Sequence, residues 1–149
     1  MQNIFNSEDR TAIERRFTEL EPAAQRQWGK MNVAQMLAHC AVTLETPLGE
    51  RQEKRSLIGR LIGPLVRASV FGAAPLRRNT PTDAHCVIVD ERQFLEEQRR
   101  VLATLARLCD RGPSAADQRL HSFFGRMSGQ DWGRLIYKHL DHHLRQFGG

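Results

Sequence analysis

Residues 128–147, SGQDWGRLIYKHLDHHLRQF, constrain this chain more than any other stretch. Their apolar residues recur at helical spacing. At about 100° per residue, with His139 at zero, His143 lies at about +40°, Trp132 at about +20°, Leu135 at about −40°, Ile136 at about +60° and Gln146 at about −20°. Asp141 and Arg134 fall on the opposite side, and His142 lies at the margin, at about −60°. The stripe that must be buried therefore carries two imidazoles one turn apart. Each neutral ring has an N–H and a lone pair to satisfy, and burying them without partners costs a few kcal/mol. An amphipathic helix of this kind gains its stability by packing on others.

Three further segments supply them. Residues 8–20 carry Ile13, Phe17 and Leu20 on one stripe, with Ser7 as the expected N-cap and Pro22 as the stop. A second helix is expected after Asn32, with Val33, Met36, Leu37, Cys40 and Leu44 inward, ending at Pro47. A third is expected after Asp90, running to about Cys109 and burying Phe94, Leu95, Val101, Leu102, Leu105 and Leu108 before Gly112-Pro113. The last begins after Ser128. Residues 56–71, SLIGRLIGPLVRASVF, have helical spacing interrupted by Gly59, Gly63 and Pro64, and read as a kinked or broken helix. Residues 79–90 read as extended around Cys86-Val87-Ile88-Val89. The layout predicts an all-α fold: one domain over residues 1–149, a four-helix bundle whose second-to-third connection is long and contains the broken helix.

The 149 residues suffice for a core without disulfide staples. Three cysteines in separate contexts, no long apolar run and no leader-like N-terminus point to a reducing, cytoplasmic setting. The net charge of +5 is local: residues 51–78 hold seven basic residues and one acid, a net +6, leaving the remainder of the chain at −1. Arg55, Arg60, Arg67, Arg77 and Arg78 are the candidates for anion binding in this segment, against the plainer reading of a solvated helix face and loop. The absence of Tyr and Trp there argues against nucleic acid. Docking on a membrane surface is the sharper alternative, because an apolar helical face with arginine flanks is its signature.

The inward histidines can hydrogen-bond to core polar groups such as Gln35 or Tyr137, or they can hold a divalent cation. The i, i+4 spacing lets His139 and His143 reach one ion. His39, in QMLAHCAV, is the best third ligand; His85, Cys86 and His121 are weaker ones. Three imidazoles leave a position for water or substrate, the pattern of catalytic sites. Zn²⁺ and Ni²⁺ suit neutral imidazoles best, with Fe²⁺ next. His142, Gln35 and Gln146 are candidates for orienting the ligands. No residue stands out as general acid or base; His142, His121 and Glu45 are the candidates close to the site.

With these residues in place, the chain resembles the DinB/YfiT-like superfamily of metal-binding four-helix bundles. That superfamily pairs a histidine in the second helix with H-x-x-x-H and a following H-x-x-Q in the last, matched here by His39, His139, His143 and Gln146. The resemblance is closest to a branch sharing WGKMNVAQMLAHC (28–40), NTPTD (79–83) and HSFFGRMSGQDWGRLIYKHLDHHLRQFG (121–148), with Ser122 where that branch usually has proline. It implies the fold, the metal triad and a homodimer. Better-known relatives include thiol-dependent transferases and isomerases using glutathione, mycothiol or bacillithiol, which makes a thiol cofactor one option. The branch itself implies no reaction. Three readings stand at this level: a metal-dependent, thiol-using S-transferase on a small-molecule substrate, a metal-dependent hydrolase, or a non-enzymatic binding module using residues 51–78.

Overall fold

The computed structural model describes residues 1–72, 74–78 and 86–149, without the side chains of residues 68 and 69. Four long helices form the bundle: α1 (Ser7–Glu19), α2 (Val33–Leu48), α4 (Phe94–Ala116) and α5 (Gly129–Gln146). Between α2 and α4 lies α3 (Leu57–Phe71), and a two-stranded antiparallel hairpin, β1 (Leu120–His121) and β2 (Gly125–Arg126), precedes α5.

The local chemistry explains the boundaries. The Asn6 side chain accepts from the Glu8 and Asp9 amides, so the α1 cap is Asn6 and not Ser7. Asn32 and Gln35 form a reciprocal capping box at the start of α2. Ser128 accepts from the Asp131 amide and starts α5. Pro47 lies inside α2, which runs one residue further and closes on left-handed Gly49. In α4 the helical path breaks at Gly112 (φ 71°, ψ 178°) and resumes for one turn from Pro113.

The core joins Phe17 of α1, Met36, Leu37 and Leu44 of α2, Leu105 and Leu108 of α4, and Leu140 and Leu144 of α5, all fully buried. The most extensive packing is α2 on α4, and α5 touches α1, α2, α3 and α4. One expected core residue is displaced. Leu95 is 59% exposed, whereas Glu97 is buried and paired with Arg92 and Arg100. Helical phase puts Leu95 about 120° from Val101 but Glu97 only about 40° away. The N-terminal residues add an unanticipated strap: Ile4 is fully buried, and its amide donates to the Gly133 carbonyl.

The segment expected to be broken is one uninterrupted helix, α3, capped by Ser56. Its glycines face inward, where Gly59 and Gly63 lie against the backbone of Phe123 at the hairpin. Its far end is held by Lys138 Nζ, which donates to the Val70 and Gly72 carbonyls. The extended reading of residues 79–90 falls largely on 79–85, outside the described residues; Val87 to Val89 carry no regular hydrogen-bonded structure.

Candidate metal centre

Two helices bring three imidazoles to one point. His39 projects from the middle of α2, and His139 and His143 project from successive turns of α5. The ring centroids lie 5.0 Å (His39–His139), 4.7 Å (His39–His143) and 4.7 Å (His139–His143) apart. One nitrogen from each ring can be chosen so that all three lie within 4.8 Å of one another. Ligands at about 2.0–2.1 Å from a shared Zn²⁺ sit roughly 3.3 Å apart, so small ring rotations close the set on a cation.

The hydrogen bonds fix which nitrogens face inward. His39 Nδ1 donates to the Cys86 carbonyl at 2.7 Å, leaving the Nε2 lone pair for the centre. His143 Nδ1 lies 2.9 Å from Gln146 Oε1. The Gln146 amide is oriented independently, because its Nε2 donates to the Trp28 carbonyl at 2.7 Å. Its oxygen must therefore face His143, and the proton sits on His143 Nδ1. This approach also explains Gly29 (φ 80°): a Cβ there would collide with Gln146 Nε2.

His139 supplies the test of fit. Its Nε2 is enclosed and has no hydrogen-bond partner among the described residues. An enclosed, unsatisfied imidazole nitrogen beside two others whose lone pairs converge on it is what a cation would resolve. The electrostatics agree. Burial lowers the pKa of His39 and lowers that of His139 well below the usual imidazole value, with His143, His39, His142 and His121 adding repulsion at His139. Burial, then the neighbouring His39, brings His143 down to about 3. All three rings are neutral at pH 7, the state in which imidazole ligates a metal.

The other sequence candidates fall into different roles. His142 lies edge-on to His143 at 5.1 Å and to Trp28 at 5.6 Å, and its ring donates to the Leu76 backbone. Gln35 is corrected from ligand support to helix capping: it closes the α2 capping box and donates to the Asp90 carbonyl. Cys86 acts through its backbone carbonyl, while its side chain packs with Ala38, Val42 and Ile88. Glu45 is corrected as a possible base, because its carboxylate pairs with Arg100 at 2.8 Å and Arg51 at 3.2 Å. Tyr137 meets Gln2 rather than a histidine. His121 Nδ1 accepts from the Phe123 and Phe124 amides, and its ring lies 5.4 Å from Trp132. His85 lies outside the described residues.

The five arginines are dispersed. Arg67 pairs with Asp131 at 2.7 Å, Arg55 donates to the Gly59 carbonyl, and Arg60 and Arg77 are exposed. Only Arg78 of the five lies at the cavity beside His142, a space of about 390 Å³ lined also by Trp28, Pro75, Leu76 and Arg145. The Arg78 guanidinium covers the Trp28 ring at 4.0 Å. Sequence reasoning missed the Cys86 and Trp28 carbonyls, since a carbonyl carries no residue-type signal; Gly29 beside Trp28 was the one available hint.

No curated protein and no solved structure matches this chain. The family model of the DinB superfamily matches residues 8–147, a span that contains α2, α5 and every ring of the cluster, and on that match the chain belongs to the DinB superfamily.

Proposed function

We propose that this protein is a divalent-metal-dependent enzyme whose cation is held by His39, His139 and His143, and that it transfers a thiol to a small electrophilic substrate. The observation carrying the reading is the enclosed, unpartnered Nε2 of His139 between two rings whose protons are turned outward. Three neutral ligands, with no fourth histidine, cysteine or acid in the cluster among the described residues, match sites that keep a position for a reactant. When bound there, Zn²⁺, Ni²⁺ or Fe²⁺ supplies Lewis acidity that lowers the pKa of a thiol or a water.

The chain's own residues do the rest. The Cys86 carbonyl and Gln146 keep both Nδ1 protons pointing away from the centre. His142 lies edge-on to His143 and lines the cavity that Arg78 also lines. Arg145 there is paired with Asp141 at 2.9 Å, so Arg78 is the guanidinium that favours a cosubstrate bearing a carboxylate. In the transfer, the thiol loses its proton to solvent, sulfur bonds to the electrophilic carbon, and the leaving group departs with its electron pair.

The test has two stages. Purified protein reconstituted with Zn²⁺, Ni²⁺ or Fe²⁺ should retain about one equivalent per chain and gain thermal stability. Retention below about a tenth of an equivalent with unchanged melting overturns the metal site. Loaded protein should then consume a chlorinated aromatic only when glutathione, mycothiol or bacillithiol is present. Ester turnover without any thiol would replace transfer by hydrolysis.

A further inference from the structure

The centre leaves α3 unexplained. Docking of Gly59 and Gly63 against Phe123 fixes the rotation of this helix, so the opposite side must face outward. That side is apolar: Leu57, Ile58, Leu61 and Leu65 are 74%, 66%, 79% and 79% exposed, and Ile62 is 43% exposed. At about 100° per residue these five side chains span roughly 140°, a contiguous stripe larger than scattered surface leucines produce. The surroundings are cationic. Arg51 and Arg67 are neutralised by Glu45 and Asp131, but α3 itself contains no acid, Lys54 just before it is exposed, and Arg60 stands exposed on the margin of the stripe beside Leu57.

From this juxtaposition we infer that α3 is a membrane-surface docking element, which lies in the interface of an anionic bilayer with its leucine stripe among the acyl chains and its basic flank among the headgroups. Charge complementarity selects this occupant. A second copy placed on the same stripe about a two-fold axis would set two acid-free helices, each flanked by an exposed Arg60, against one another. Nucleic acid would leave the leucines in water, and the segment has no Tyr or Trp for stacking. An anionic lipid surface satisfies both halves of the helix. No helix among the described residues is long and apolar enough to cross a membrane, so contact would be peripheral.

Co-sedimentation of the full chain with vesicles containing about 30% phosphatidylglycerol, and with neutral phosphatidylcholine vesicles, tests this directly. Binding should be about tenfold or more tighter to the anionic vesicles and should weaken as salt rises. Leu61→Glu combined with Leu65→Glu should reduce it by about tenfold or more, and Arg60→Gln by about fivefold. All three positions are exposed, and circular dichroism will show that the variants remain helical. Absence of binding to anionic vesicles overturns the assignment. So does binding that the double leucine variant leaves unchanged, or a wild-type dimer in sedimentation equilibrium that the double variant dissociates.

Discussion

Gln146 illustrates what single residues contribute here. It accepts from His143 Nδ1 and donates to the Trp28 carbonyl, so it sets both the tautomer and the angle of one ring. Gln146→Ala should weaken the hold on Zn²⁺ by about 10–100-fold in a chelator competition, without unfolding the protein. His139→Ala and His143→Ala should each abolish retention of stoichiometric metal, and a variant of either kind that still holds a full equivalent would refute the triad. The sequence displayed these side chains because helical phase ties residues three and four apart to one face. It did not display the Cys86 carbonyl, since every residue has one. Glu45 misled for a related reason: its partner Arg100 is 55 positions away, and only the packing of α2 on α4 joins them.

At the scale of elements, the helices were legible where caps and periodicity agreed, as at Asn32 and Ser128. They were less so where a rule of local chemistry was overridden. Pro64 predicted a break, yet α3 continues through it; Pro64 and Arg60 are both exposed, so water can serve the carbonyl that the proline leaves without a donor. Gly112 is the converse case. Its backbone occupies a region essentially restricted to glycine, and there is open space around it, so conformation rather than crowding decides the residue. Gly112→Ala should therefore cost about 1–3 kcal/mol in urea denaturation, with the break between the two parts of α4 retained.

The whole molecule carries the charge state of the cluster as a stability term. The folded protein keeps His143 neutral down to about pH 3, and His39 and His139 shift in the same direction, whereas the unfolded chain protonates its histidines near their usual value. Between those limits the unfolded state binds more protons, so stability falls as pH falls. Metal-free protein should lose about 1.4 kcal/mol per pH unit for each imidazole kept neutral, below roughly pH 6.5. Denaturation midpoints at several pH values will measure the slope, and His143→Ala should reduce it. Zn²⁺ at about a hundredfold excess over its dissociation constant should add about 2.7 kcal/mol at neutral pH. By itself the sequence determined the bundle helices, their inward faces and the histidines on them, because caps and periodicity act over a few neighbouring residues. Only the tertiary structure decided that His39 meets His139 and His143, which nitrogens face inward and which side of α3 meets solvent. Those outcomes depend on helix packing, backbone carbonyls and ion pairs between residues far apart in the chain, and no local spacing encodes them.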